Sequence, residues 1–187
     1  YGPIASWNTS EITVMWRLFY NQASFNEDIS RWDVSNVTTL ACTFDRAASV
    51  NGDLSRWDAS NVTALWYTFS GTTSFNGDLS RWDVSNVTSL ENTFCGATSF
   101  NGDLSRWGVS KVTSLFAPFS GATSFNGDLS RWDVSNVRSM SYAFDGATSF
   151  DQQLGDAWAR STAAKFRMFS GSNGSIAGKT NTAGGIP

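Results

Sequence analysis

The chain has 187 residues, of which 41% are hydrophobic and 16% charged, and its 13 Lys and Arg face 16 Asp and Glu for a formal net charge of −3. No apolar run approaches the roughly 18–20 residues needed to cross a bilayer, and an acidic chain without a basic block does not suit nucleic-acid binding. Since the chain has no His and only 2 Cys, we expect no metal site and no cofactor.

A fixed repeat is the dominant signal in the sequence. The phrase Leu-Ser-Arg-Trp-Asp-Val-Ser-Asn-Val-Thr recurs with a period of 25 residues, and self-similarity at a period of roughly 20–50 residues is typical of repeat arrays. The coils start at Ile4, Ile29, Leu54, Leu79, Leu104, Leu129 and Leu154. We predict one domain over residues 1–178, made of these seven coils, and a flexible tail at 179–187.

The first part of each coil has the period of a strand. In the coil from Leu79, Trp82 and Val84 alternate with Arg81 and Asp83, and a period of two places alternate side chains on opposite faces of a strand. We therefore expect the tryptophans of this slot to lie in the core and the charged residues to face solvent.

The second part of each coil has the spacing of one helical face. Val87, Leu90 and Phe94 follow one another at i, i+3 and i+7, and the Asn101-Gly102 pair then suits a tight turn with positive φ. Since no single coil buries its apolar edge alone, these periods predict a repeat solenoid. We expect a parallel β-sheet on one face and short helical or 3-10 turns on the other.

The repeat motif resembles a known family. Leu-x-x-Trp-x-Val, followed by Ser-Asn-Val-Thr-Ser-Leu and an Ala/Thr-Phe pair, looks like a leucine-rich repeat with Trp in the central apolar slot. The motif resembles that of the BspA-like leucine-rich repeat surface proteins, and the likeness covers residues 4–178. It implies a leucine-rich-repeat-like scaffold at a surface, engaged in adhesion or protein binding, without chemistry. The last coil departs from the motif, since Trp158 is shifted by one position, and we interpret it as a degenerate C-terminal cap.

The most variable slots follow the fifth apolar anchor of each coil. Several of them hold aromatic residues that core packing does not require, because the core slots are already filled. Such rings predict a contact surface for another protein or protein assembly, or for lipid or pigment; alternatively, the rings fold back over their own coil. These residues are Trp16, Trp66, Tyr67, Phe116, Tyr142 and Phe166.

A second, weaker candidate surface lies on the charged side of the predicted strands. Arg and Asp rows there either neutralise each other or form the docking face of a polar partner. One coil departs from the rows, because Gly108 replaces an Asp and Lys111 an Asn, which creates a positive notch. The candidate residues are Arg81, Asp83, Arg106, Gly108, Lys111, Arg131 and Asp133.

Catalysis needs different groups held together at one place, whereas this chain offers copies of one unit and no His to act as a base. We therefore expect no enzyme and no catalytic residue. The favoured function is a protein-interaction or adhesion module displayed at the cell surface. The alternatives are a structural accessory subunit docked in a larger assembly, for example a membrane-associated one in an algal organelle, and a carbohydrate-binding module. For these, an organelle lumen or a membrane periphery is the alternative location.

Overall fold

The computed structural model describes residues 2–178. Over this range, the regular structure is limited to a 3-10 helix at Ile4–Ser6, strand β1 at Gln153–Leu154, helix α1 at Asp156–Arg160 and strand β2 at Ser175–Ile176. Most of the described chain consists of turns and loops. The predicted leucine-rich-repeat-like solenoid, with a parallel β-sheet on one face and helical or 3-10 turns on the other, is therefore wrong. No extended parallel sheet is present in these residues.

Turns replace the predicted strand of each repeat. In one representative repeat, Asp78 Oδ1 accepts a hydrogen bond from the amide of Ser80 at 2.9 Å, and Asp83 Oδ1 accepts one from the amide of Ser85 at 2.9 Å. The amide of Trp82 donates to the carbonyl three residues earlier at 3.1 Å. An Asp side chain that accepts a hydrogen bond from the amide two residues ahead favours a turn over a strand. The alternation of apolar and charged residues therefore does not mark an extended segment here.

The helical turns predicted for the second part of each repeat are also absent from the repeats that precede α1. The amide of Thr43 donates to the carbonyl of Leu40 at 3.0 Å, within its own repeat, whereas the amides on either side of it donate to the following repeat. An α-helix instead bonds each amide to the carbonyl four residues earlier. One position per repeat also has a left-handed φ of 51° to 59°, and these residues are Arg17, Cys42, Tyr67, Asn92, Ala117, Tyr142 and Arg167. A right-handed helix cannot continue through a left-handed residue.

Backbone contacts nevertheless join neighbouring repeats in register. One residue of each repeat forms an isolated parallel bridge with its equivalent in the next repeat, and the series is Val14, Thr39, Ala64, Ser89, Ser114, Ser139 and Ala164. Each bridge is limited to a single residue because turns lie close on both sides of it. The period read from the sequence is thus present in the contacts, although the sheet is not.

A row of phenylalanine rings, one from each repeat, fills much of the interior. Neighbouring ring centroids along this row lie 5.4 to 5.6 Å apart, which is within the range of stacked aromatic pairs. The row consists of Phe19, Phe44, Phe69, Phe94, Phe119, Phe144 and Phe169. The core is therefore packed between repeats as well as within them, since Phe94 also lies 4.1 Å from Phe100 of its own repeat between ring centroids.

The tryptophans of the repeat motif form a second buried row. Trp82 is 3% exposed, and its Nε1 donates to the carbonyl of Leu54 in the preceding repeat at 3.0 Å. The equivalent bond is made by Trp32, Trp57, Trp107 and Trp132. The predicted burial of these indoles is confirmed, whereas Trp7 in the first repeat is 47% exposed.

The last repeat contains most of the regular structure of the described chain. Strands β1 and β2 pair in parallel along their whole length, and α1 lies between them in sequence. Trp158 is buried on α1, and its Nε1 donates to the carbonyl of Leu129 at 3.2 Å. The shifted Trp therefore still reaches the preceding repeat. The flexible tail predicted at 179–187 lies outside the described residues.

Candidate binding surface

The predicted aromatic residues occupy two consecutive positions of the repeat, and the second of these is the left-handed one. At this second position the amide donates to the following repeat, as from Tyr142 to the carbonyl of Phe166 at 2.8 Å. The left-handed turn costs about 1–2 kcal/mol for a residue with a Cβ, and these inter-repeat hydrogen bonds offset that cost. We call Trp16, Trp66, Tyr67, Phe116, Tyr142 and Phe166 the aromatic flank.

Three residues of the flank form one ring cluster, made of Phe116, Tyr142 and Phe166. The ring of Tyr142 meets Phe116 at 5.6 Å and Phe166 at 5.4 Å between centroids, in both cases edge to face. Phe116 is 36% exposed and Phe166 54% exposed. At the edge of the cluster, the guanidinium of Arg167 lies 5.7 Å from the Tyr142 ring centroid and 3.4 Å from a carboxylate oxygen of Asp145. The structure thus joins rings from three repeats into one partly exposed patch with a charged rim.

The other flank residues are separate from this cluster. Trp66 and Tyr67 meet edge to face at 6.3 Å and are both half-buried. Burial, and then the charge of Glu91, raise the pKa of the Tyr67 hydroxyl. The next repeat carries Glu91 and the buried Asn92, whose side-chain nitrogen has no hydrogen-bond partner among the described residues. A polar repeat therefore divides the flank into two groups.

Trp16 belongs to a different environment. It is 54% exposed, but other large apolar residues of the first repeat, including Val14 and Leu18, are exposed to a similar extent. The Arg17 guanidinium lies 5.6 Å from the ring centroid of Trp16. The exposure of Trp16 is therefore shared both with other residues of the first repeat and with Phe166 at the equivalent flank position.

The charged residues predicted on a strand face lie in turns. Asp83 and Asp133 each accept a hydrogen bond from a serine amide two residues ahead. The Ser85 hydroxyl and amide, and then the charge of Lys111, hold the pKa of Asp83 below its ordinary value. The only ion pairs found among residues 2–178 lie outside this set. Arg81, Asp83, Arg106, Gly108, Lys111, Arg131 and Asp133 are therefore a row of exposed turn residues and do not converge on one centre.

Sequence reasoning missed a cavity beside Lys111. This cavity is an open depression of the surface with a volume of about 700 Å³, and Lys111 and Arg138 line it together with Thr113, Ser135 and Thr162. Arg138 stands where all five preceding repeats have threonine, namely Thr13, Thr38, Thr63, Thr88 and Thr113. That interruption of a regular column was the available signal for the site.

Two kinds of functional element are not found in the described residues. Residues 2–178 contain no group of three or more acidic or Cys side chains placed to hold a metal ion. The helices within the same range are too short or too polar to span a membrane. The described residues offer two candidate binding sites on the surface. One is the ring cluster of Phe116, Tyr142 and Phe166, and the other is the cavity lined by Lys111 and Arg138.

The comparisons with known proteins give a family and no individual relative. A family model described as "Mycoplasma protein of unknown function, DUF285" matches residues 2–94 and again residues 67–178. No curated protein and no solved structure matches the chain. Two matches of one model are consistent with tandem repeats. Since together they span nearly the whole chain, this repeat protein belongs to the DUF285 family.

Proposed function

We propose that the chain is a non-catalytic module that binds another protein through the ring cluster of Phe116, Tyr142 and Phe166. The observation that carries the proposal is the exposure of these rings beside a core that is already filled by other rings. Large aromatic residues supply much of the binding energy of protein interfaces. The three rings are not members of the phenylalanine row that fills the interior.

The rim of the cluster also suits a protein partner. Arg167 contacts both the Tyr142 ring and Asp145, so charged groups border the apolar patch on one side. Interfaces commonly combine an apolar centre with a polar rim, and Arg and Tyr are frequent hot-spot residues. The cluster therefore has the composition of a small protein-binding patch.

The location we propose is the cell surface, in an adhesive role like that implied for BspA-like proteins. The support for this part is the Trp-Asp-Val-Ser-Asn-Val-Thr motif, which recurs through the chain. The carbohydrate alternative has less support, because sugar platforms need open indole faces. Of the three indoles that could serve, Trp16 is 54% exposed, whereas Trp158 is buried and Trp66 is half-buried against Tyr67, so the three form no row of open indoles.

The test compares capture of partners by the wild type and by the double variant Phe116→Ser/Phe166→Ser. Both proteins are immobilised and exposed to an extract of the native source, and retained proteins are quantified by mass spectrometry. Each retained protein is then purified and its affinity for the wild type is measured directly. We expect the double variant to lose about tenfold or more in affinity, because two exposed aromatic anchors are removed.

The matched control is Leu18→Ser, which removes an exposed apolar side chain outside the cluster. It should retain the partner with wild-type affinity. Thermal unfolding of all three proteins first establishes that the substitutions leave the fold intact. Equal affinity of the partner for the wild type and the double variant would refute the proposal.

A further inference from the structure

Three departures from the repeat change charge in the same direction. Gly108 stands where most other repeats have Asp, Lys111 where they have Asn, and Arg138 where they have Thr. Each departure makes the local formal charge more positive by one unit, in a chain whose net charge is −3. The three positions lie in two neighbouring repeats, so their effects add at one place on the surface.

The backbone does not require glycine at position 108. Gly108 is not among the residues with positive φ. A Cβ at this position would meet the Cβ of Ser85 at 3.6 Å, which is an ordinary contact. The equivalent position of the preceding repeat holds Asp83 without difficulty. The effect of having Gly108 in place of Asp is therefore to remove a carboxylate from the loop that carries Lys111.

Lys111 also replaces a regular structural bond. In the next repeat, the equivalent Asn136 donates its side-chain nitrogen to the carbonyl of Ser110 at 2.7 Å. Lys111 instead donates from Nζ to Oδ1 of Asn86 at 2.7 Å. That bond occupies one ammonium hydrogen and leaves the others available for a ligand.

Arg138 is the second cation of the cavity. The part of the chain that the structure describes contains no ion pair of Arg138 and no hydrogen bond from its guanidinium. Lys111 and Arg138 line the same cavity of about 700 Å³, and no carboxylate lies in its described wall. Thr162 adds a hydroxyl group to the wall, whereas the Thr113 hydroxyl already donates to the carbonyl of Thr88 at 3.3 Å and the Ser135 hydroxyl bonds the carboxylate of Asp133. The cavity thus presents hydrogen-bond donors and positive charge.

We propose that this cavity binds a sulfate or phosphate group. An arginine guanidinium offers a planar fork of donors that matches such oxyanions, and a lysine ammonium adds a compact positive charge. The hydroxyl of Thr162 lies within the same wall and can complete the donor set. The site is independent of the ring cluster, so either proposal can fail without the other.

The test is an NMR titration of the labelled full chain with sodium sulfate at constant ionic strength. We expect saturable shifts at the amides of Thr113 and Arg138. In Lys111→Asn/Arg138→Thr, which restores the residues of the neighbouring repeats, the affinity should fall by about tenfold or more, because charge-assisted hydrogen bonds are lost. The control Arg31→Gln/Arg56→Gln removes the same charge elsewhere and should titrate like the wild type.

A second arm distinguishes a free anion from a sulfate ester. Dextran sulfate replaces sodium sulfate, and unmodified dextran serves as its control. Tighter binding of dextran sulfate, lost in Lys111→Asn/Arg138→Thr, would identify an ester group as the ligand, and no gain over sodium sulfate would identify the free anion. Shifts that do not saturate in the wild type, or that are equal in all variants, would overturn the proposal.

Discussion

Each buried indole of the tryptophan row serves two purposes at once. Its ring fills the interior, while its N–H reaches a carbonyl of the preceding repeat, as Trp82 Nε1 reaches Leu54 at 3.0 Å. A buried donor without a partner costs about 1–3 kcal/mol, so this bond allows a large polar-tipped side chain to lie in the core. The burial of the tryptophan row therefore leaves no indole N–H of the row without a partner.

The first prediction follows from this dual role. Trp82→Ala should lower the free energy of unfolding by about 3–5 kcal/mol, the usual cost of truncating a large buried aromatic side chain. Urea denaturation followed by circular dichroism measures the change. The neighbouring exposed substitution Arg81→Ala should change stability by no more than about 0.5 kcal/mol. A cost near zero for Trp82→Ala would contradict the burial of the row.

The element that defines each repeat is a sharp left-handed turn and not a strand or helix. A second left-handed position follows the flank position by four residues, and it is Asn21 or Arg46 in early repeats and Gly71, Gly96, Gly121, Gly146 or Gly171 later. Glycine adopts positive φ without steric cost. The recurrent glycines are therefore explained by backbone conformation and not by crowding, because a Cβ on Gly96 would meet the Cα of Gly71 at 3.7 Å and its nitrogen at 3.8 Å, which are ordinary contacts.

The second prediction separates backbone strain from crowding. Gly96→Ala should destabilise the protein by about 1–2 kcal/mol, since alanine must adopt φ near 69° there. Gly108→Ala is the matched control, because Gly108 has no positive φ, and its effect should stay within about 0.5 kcal/mol. Thermal unfolding of the two variants measures the difference, and equal effects would contradict the conformational explanation.

Some of this could be predicted from the sequence, and the limits are physical. The period and the buried Trp row follow from the same residues recurring at the same spacing. The flank positions are recognised because their residues differ from one repeat to the next. The strand prediction failed because Asp78 and Asp83 bond the backbone locally, and such bonds compete with an extended conformation. The left-handed conformation of the second flank position could not be predicted, because residues such as Tyr142 and Arg167 do not favour a positive φ.

The candidate sites show the same division. The flank residues were identified from the sequence because variation within a repeat is visible without a structure. Their grouping was not, because the contact of Tyr142 with both Phe116 and Phe166 depends on rotamers and turn geometry. Arg138 was missed as a partner of Lys111 because the two residues belong to different repeats and meet only through the cavity.

At the scale of the whole molecule, stability depends on register. Bridges join equivalent residues of successive repeats, from Val14 and Thr39 to Ser139 and Ala164. The inter-repeat hydrogen bonds and ring contacts follow the same spacing. Such a protein is held together mainly by contacts between neighbouring repeats. If one complete repeat is removed, the two repeats that then become neighbours can make the same contacts.

The third prediction tests this dependence on register. Deletion of residues 79–103, one full period, should give a folded protein with a cooperative but lower thermal transition, because one inter-repeat interface is lost. Deletion of residues 79–90 should abolish the transition, because the ring rows no longer align. Near-ultraviolet circular dichroism of the indoles reports the packing in both cases. A folded protein after the shorter deletion would contradict the argument.

Because each repeat makes the same contacts with its neighbours, these contacts also bear on how the length of such a protein can vary. A change of length by whole 25-residue units would leave each product with complete contacts between neighbours, without compensating substitutions. Exposed positions, such as the flank position that holds Phe116, vary from repeat to repeat while the buried rows stay nearly constant. The length of such a protein and the chemistry of its surface can therefore change independently of each other.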